Sequence, residues 1–437
     1  MKQNIRADSD SHASRLRTPL HAEAWDYFVR RTMLDRPARA RNVRGPMAGI
    51  IIRPRSRILH GHDWVYATEV LKTWGDPEPG SIIAVKDGKD RLLGSAIYNP
   101  KSQIVARRFS RQRQDLDADF FLRRITQAVK YREKRGVSGT ACRLVWSESD
   151  ALPGLIVDRY GEHLVVQTLT LAMDMRRDLI VAALVEIAKP ASIIERNDAP
   201  VRIAEGMEPR TGVLHGEAPE PFVLSIGGMD FQVDLMRGQK TGFYLDQVDS
   251  YGTVAAHAKG RRVLDCFANQ GAFALACAKA GAASVTAVEI SEDACGHIRS
   301  NATRNSLTVD VRAENVFDFL KAADDDGGRT QYDLIILDPP SFTRTKGKLE
   351  DALRGYKEIH LRALKLLAPE GMLATFCCSH HVSRGDFLGM IREATVDAKR
   401  TLRQIATFSQ AADHPIILTL PETEYLKGFL FELAPGR

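Results

Sequence analysis

At 437 residues the chain is too long for one compact core, so two or three domains are expected. Its 44% hydrophobic and 27% charged residues are those of a soluble globular protein. No run approaches the roughly 20 apolar residues of a membrane span, and MKQNIRADSD lacks the apolar core of a secretory signal, so a cytoplasmic protein is expected. The net charge of +6 is uneven: residues 1–48 hold ten Lys/Arg against five Asp/Glu, residues 49–115 hold twelve against seven, and the remainder is −4. That asymmetry points to a basic module meeting a polyanion, although a solvated basic surface carries the same charge.

In chain order, residues 1–48 read as a basic extension in which RPARARNVRG has no hydrophobic period and is expected to be mobile. AEAWDYFVRRTML can form one short helix there. Over 49–115, GIIIRP, SIIAVKD, LLGSAIYN and QIVARRF are strand-like runs separated by DPEPG and KDGKD turns, which makes a small all-β unit. A helical linker covers 116–141 and closes at Gly136. Over 142–236, LPGLIVDRYGEHLVVQTL reads as two strands joined by an Asp-Arg-Tyr-Gly turn. DMRRDLIVAALVEIA follows as a helix, ASIIERND as a strand, and FVLSIGGMDFQVDL as a hairpin around Gly227-Gly228. From Arg262, within a unit of 237–437, seven strand-like runs alternate with helices, which predicts a parallel, doubly wound sheet. Runs such as LIIL and VLDCFA are apolar on both faces, as a sheet between helical layers requires.

In such a sheet, ligands bind beyond the carboxyl ends of the strands, and the polar residues of this half fall there. Asp265 ends the first strand and leads into Cys-Phe-Ala-Asn-Gln-Gly. Glu289 ends the second, Asp338 the fourth, and Cys377, Cys378 and Ser379 the fifth. An acid ending the second strand suits ribose hydroxyls, whether of a dinucleotide or of S-adenosylmethionine. The turn separates the two. It has one glycine, Gly271, and the bulky Phe267 and Gln270 where a pyrophosphate would need GxGxxG, so it suits a cofactor without phosphate. Asp265 is placed to meet that cofactor's amino group.

Asp338-Pro339-Pro340 fixes a rigid backbone after a buried strand and suits gripping the amino and ring-nitrogen edge of a flat base. A cysteine on the next strand supplies what methylation of a pyrimidine C5 needs. A thiolate adds to C6, C5 attacks the methyl sulfonium, and loss of the C5 proton expels the enzyme. Asp338 would bind or protonate N3 and the amino group. Cys377 and Cys378 point to opposite sides of their strand, so at most one faces the substrate, and parity does not say which. The other cysteines, Cys142, Cys266, Cys277 and Cys295, read as buried apolar residues. Without CxxC spacing neither a disulfide framework nor a zinc site is expected. His380 and His381 read as loop residues that can tune the thiol or contact phosphate.

Together, GHDWVYATEV, RLVWSESDALPGLIVDRYG, KTGFYLDQVDS, VLDCFANQGAFALACAKAGA, VTAVEIS, LDPPSF, TFCCSHHV, QAADHP and YLKGF resemble the bacterial large-subunit (23S) rRNA cytosine-C5 methyltransferases that carry a PUA domain. The resemblance covers roughly residues 50–436. It implies an α/β chain in three parts: an N-terminal all-β PUA domain, a small strand-strand-helix-strand-strand α+β domain, and a C-terminal Rossmann-like class I methyltransferase sheet. It also implies S-adenosylmethionine as donor and large-subunit rRNA as partner, with no metal and no membrane; a homodimer is left open. By the family's pattern the nucleophile falls on Cys378, Gln247 and its neighbours close over the methionine end of the cofactor, and Asp265, Phe267, Gly271, Glu289, Asn315 and Asp338 take cofactor positions. Two other functions compete. One is methylation of an exocyclic amine, since DPPSF is similar to the (N/D)PP(Y/F) loop; its aromatic is displaced by one residue. The other is a non-catalytic RNA-binding or assembly factor, against which the intact set Asp265, Glu289, Asp338 and Cys378 argues.

Overall fold

The computed structural model describes residues 48–137, 139–238, 241–326, 331–343 and 346–435. The basic extension, with its expected helix, lies outside these residues apart from Ala48. No helix among the described residues is long and apolar enough to cross a membrane.

Apolar alternation in the N-terminal unit builds a six-stranded sheet from β1 (Gly49–Ile52), β2 (Trp64–Val65), β3 (Val70–Trp74), β4 (Ile82–Lys86), β5 (Leu92–Tyr98) and β6 (Ala106–Ser110). Their order is β2-β6-β5-β4-β1-β3, around Ile50, Ile52, Val65, Ile83 and Val85. The four strand-like runs are the four longer-buried strands. The sequence reading missed β2 and β3, because β3 is half exposed and its hydrophobic period is weak. Helix α1 (Ala118–Lys134) starts at Asp117, whose carboxylate accepts the Phe120 N–H at 2.8 Å.

A five-stranded sheet follows: β7 (Ala141–Trp146), β8 (Leu155–Tyr160), β9 (His163–Thr168), β10 (Ser192–Asn197) and β11 (Arg210–Gly216), ordered β11-β10-β9-β8-β7, with α2 (Arg177–Ala188) between β9 and β10. Two expectations change here. β7 and β11 complete the sheet, and Asp158, Arg159 and Tyr160 belong to β8 rather than to a turn. The reversal is at Gly161 (φ 62°) and Glu162; Asp158 is instead wholly buried against Arg143 of the neighbouring strand. The hairpin of β12 (Phe222–Ile226) and β13 (Met229–Val233) turns at Gly227 and Gly228 with φ of 58° and 78°, a double left-handed turn that glycine adopts without strain. It forms its own two-stranded sheet. Ile226, Met229, Phe231 and Val233 share one core with Val254, Phe273 and Ile298, so the hairpin packs with the C-terminal unit.

The C-terminal sheet has seven strands: β14 (Arg262–Cys266), β15 (Ser284–Glu289), β16 (Asp310–Ala313), β17 (Tyr332–Leu337), β18 (Leu367–Cys377), β19 (Leu402–Phe408) and β20 (Lys427–Leu433). The order is β16-β15-β14-β17-β18-β20-β19. β20 runs antiparallel to both neighbours, so the sheet is mixed rather than wholly parallel. Helices α3 (Val248–Ala255), α4 (Ala272–Lys279), α5 (Glu292–Arg304), α6 (Val316–Asp325), α7 (Leu349–Leu366) and α8 (Arg384–Asp397) cover it; α3 and α6 were not anticipated. Strand order reverses between β14 and β17, and that crevice receives Asp265 and Asp338.

Buried polar contacts join the parts. Arg107 and the Trp64 indole N–H both reach Glu148 at 2.8 Å, Asn99 reaches Glu205 at 2.8 Å, and His62 meets Glu422 at 3.0 Å. Arg107 and Arg108 are therefore turned inward, and the basic count of this unit overstates the charge it offers a polyanion.

Candidate active site

The turn after β14 is held against the end of β15. The N–H groups of Phe267 and Ala268 bond the Val288 carbonyl at 3.0 and 3.2 Å, and the Asn269 N–H bonds a Glu289 carboxylate oxygen at 3.0 Å. Phe267 (φ 64°) and Asn269 (φ 49°) both lie in the left-handed region. For non-glycine residues each such conformation costs on the order of 1 kcal/mol, and such strain collects at ligand sites. Gly271 (φ 83°) ends the turn in the left-handed region, where a Cβ would also crowd the Ile298 side chain at 3.0 Å. The helix α4 can then begin close to the strand ends.

Asp265 is 1% exposed, and one oxygen accepts the Ala274 N–H at 3.0 Å. Its Oδ1 has no hydrogen-bond partner among the described residues, nor do the buried Oε1 atoms of Gln247 and Gln270. Burial, reinforced by the negative charges of Asp338 and Glu289, pushes the Asp265 carboxyl well above the usual carboxylate range. Buried acceptors without donors are costly, and ligand N–H or O–H groups would satisfy them. The ammonium and hydroxyl groups of S-adenosylmethionine are such donors, so these residues fit that cofactor. Glu289 accepts the N–H groups of Asn269 and Ser291 at 3.0 Å each and keeps lone pairs for a further donor. Asn315 is exposed and caps α6, with its side-chain oxygen on the Phe317 N–H at 2.9 Å. One face of the expected cofactor contact is thus already used.

Asp338 follows β17, and its Oδ2 accepts the Gln247 amide at 2.6 Å. This joins two residues far apart in the chain at the strand-order reversal. The structure separates the two cysteines. Cys377 is wholly buried in a cluster with Ala352, Val382 and Phe387, its thiol 3.6 Å from the Tyr356 hydroxyl, and burial raises its pKa. Cys378 is half-buried and packs on the opposite side, against the core shared by Phe273 and Phe376. His380 lies with its ring 5.5 Å from that of Tyr425. No metal-binding cluster of His, Cys, Asp or Glu occurs among the described residues.

Two residues of the site were passed over in the sequence. Tyr244, inside KTGFYLDQ, is pushed up to about 12 by burial and by the negative charges of Asp338, Cys378, Asp246 and Glu289, and stays a neutral donor in the cleft. Lys427 is 3% exposed and donates to the Ser379 carbonyl at 2.6 Å. Burial lowers its pKa, against the upward pull of Cys377, Glu424 and Cys378, and its amine sits beside the cysteine pair. Its signal was a lysine opening the apolar stretch GFLF of the last strand.

Comparison with known proteins shows the family and the fold. A family model described as S-adenosylmethionine-dependent methyltransferase matches residues 207–419, and a PUA-like domain model matches 53–111. Proteins named ribosomal RNA large subunit methyltransferase I are similar along most of the chain. The one from Erwinia tasmaniensis is 39% identical over 379 residues, covering 85% of this chain and 95% of the relative. One from Vibrio cholerae is 38% identical over 390 residues, covering 87% and 97%. A putative S-adenosylmethionine-dependent methyltransferase from Streptococcus mutans shares the fold with a TM-score of 0.76 at 22% identity, covering 88% of this chain and 100% of that one. A putative methyltransferase complexed with SAH (S-adenosylhomocysteine) does so with a TM-score of 0.77, also at 22% identity and with the same coverage.

Proposed function

The chain belongs to the family of S-adenosylmethionine-dependent ribosomal RNA large subunit methyltransferases, and from that premise we propose that it methylates C5 of a cytosine in large-subunit (23S) rRNA with Cys378 as nucleophile. S-Adenosylmethionine, when bound, supplies an electrophilic methyl group. Asp265, Gln247, Gln270 and Glu289 would hold its donor groups, with Phe267 and Gly271 shaping the turn beneath it and Asn315 at its edge.

The Cys378 thiolate forms a bond to C6 of the cytosine and raises electron density at C5. Asp338 accepts from the amino group and passes a proton to N3, where negative charge develops. Lys427 favours the thiolate as the attacking and leaving form. C5 takes the methyl group, its donor leaving as the neutral thioether; the C5 proton then passes to water, the double bond is restored, and the C6–S electron pair returns to sulfur. The observation that carries this assignment is the opposed placement of the pair: Cys377 is sealed against Tyr356, and Cys378, just past the end of β18, packs on the opposite side, while Asp338 follows the neighbouring β17. The PUA-like unit over 49–115 would add phosphate contacts, so binding should weaken as salt rises. An extruded, unpaired cytosine suits the cleft, and a ribosomal substrate implies a cytoplasmic enzyme.

The test is Cys378→Ala. The variant is expected to retain S-adenosylmethionine affinity by calorimetry and to give no 5-methylcytidine by mass spectrometry of the RNA product. Full activity in the variant, or an amine-methylated nucleoside from the wild type, would overturn the assignment.

A further inference from the structure

The small sheet over β7–β11 contributes no residue to the chemistry above, yet it holds a buried polar array aimed at the loop that carries Tyr244 and Gln247. The Phe243 N–H donates to the Tyr160 hydroxyl at 3.0 Å, and that hydroxyl lies 3.0 Å from Thr241 Oγ1. Thr241 in turn donates to Asp158 Oδ2 at 2.6 Å. Asp158 is anchored by Arg143, whose Nε and Nη2 reach its two oxygens at 2.7 and 2.9 Å. With Thr241 donating to the carboxylate, the Tyr160 hydroxyl donates to Thr241, the Phe243 carbonyl at 3.4 Å being a weaker second acceptor. The chain then runs from the Phe243 amide through Tyr160 and Thr241 to the carboxylate, and each bond polarises the next. Asp158 and Tyr160 are 0% exposed and Thr241 1%, so water does not compete.

The fit between loop and sheet is equally close. Gly242 has φ 139°, and a Cβ there would stand 3.3 Å from the Tyr160 ring and 3.1 Å from Leu235. Just upstream, Arg196 of β10 grips the carbonyls of Leu235 and Gly238 at 3.0 and 2.8 Å. Downstream, the Asp246 carbonyl accepts the Ala411 N–H at 2.8 Å and its Oδ2 the Tyr425 hydroxyl at 2.6 Å. The next residue, Gln247, is the one bonded to Asp338.

We propose that Tyr160, Thr241 and Asp158 are positioning residues, and that the small sheet's part in methyl transfer is to hold residues 241–247 so that Tyr244 and Gln247 meet Asp338 at the catalytic rim. This rests on the function proposed above for Asp338. Removing one hydroxyl leaves the strand and its apolar packing in place but frees the loop. A displacement of about 1 Å at a catalytic group can cost on the order of a hundredfold in rate.

The experiment uses the full-length chain with Tyr160→Phe, Thr241→Val and Thr241→Ser, which keeps the hydroxyl. Hydrogen exchange is measured without cofactor, and turnover and RNA affinity with it. Tyr160→Phe and Thr241→Val are expected to speed exchange of amides in residues 241–247, leave β8 and β9 protected, and slow turnover about a hundredfold at unchanged RNA affinity. Thr241→Ser should restore both. Wild-type exchange or wild-type turnover in the first two variants overturns the proposal, as does loss of protection spread through β7–β10, which marks a merely structural role. Exchange and relative rate are read whichever base atom is methylated, so a failure of the cytosine-C5 assignment is told apart from a failure here.

Discussion

Asp158 of the small sheet and Asp265 of the catalytic sheet are both acids in apolar strands, and both are buried to within 1% exposure. Their surroundings differ. Asp158 receives a two-pronged guanidinium and a threonine hydroxyl, whereas Asp265 receives one backbone N–H and has an oxygen with no donor among the described residues. A saturated buried carboxylate holds structure together. One left short of donors costs stability until a ligand supplies them. Burial alone does not mark a site; at Asp265 the unmet hydrogen-bonding capacity falls in the crevice where the strand order reverses.

Removing each carboxylate should therefore break different things. Asp158→Ala leaves the Arg143 guanidinium buried without its partner, for which a loss of about 3–5 kcal/mol in urea unfolding is expected. A loss under about 1 kcal/mol would mean the pair is not the anchor described here. Asp265→Asn should act in the opposite sense on the free protein. Because the Asp265 pKa is raised on folding, its charged form opposes the fold at neutral pH, and the neutral amide is expected to raise the melting temperature. The same change should weaken S-adenosylmethionine binding by about 2 kcal/mol, roughly thirtyfold, in calorimetry. An unchanged affinity would remove Asp265 from the cofactor site.

His360 sharpens the comparison, being saturated and yet able to titrate. It is wholly buried, with its ring nitrogens 2.6 Å from the Tyr356 carbonyl and 2.8 Å from the Thr375 hydroxyl, and burial lowers its pKa to about 4. Between pH 6.5 and about 4 the unfolded chain binds a proton at this site that the folded chain refuses, so stability falls as pH falls through that window. At pH 5 the fold should be about 2 kcal/mol less stable than at pH 7 on this account. Urea unfolding of wild type and His360→Gln at both pH values isolates it: the wild type should lose that much more than the variant.

Much of this molecule was legible in its residues. Runs such as LIIL and RVLDC could only be buried strands, Gly227-Gly228 could only be a tight turn, and the alternation from Arg262 onward placed Asp265, Glu289, Asp338 and the cysteine pair at strand ends. β20 was read as a strand, but its direction depends on which edge of the sheet it joins, which local pattern does not encode. The composition of Asp-Arg-Tyr-Gly predicts a turn at Asp158 and Tyr160. Pairing with Arg143 overrode that propensity, and no local signal reports a partner in another strand.

Local pattern sufficed for the more buried strands and the longer helices, for the strand ends that carry polar groups, and for the chemistry a cysteine beside an acid can perform. Each depends on residues close together in the chain. The tertiary structure alone decided that Cys377 is sealed against Tyr356, that Gln247 reaches Asp338, and that Tyr160 and Thr241 hold the intervening loop. These contacts join residues 21 to 91 positions apart, and they exist only once hydrophobic burial has brought the strands and helices together.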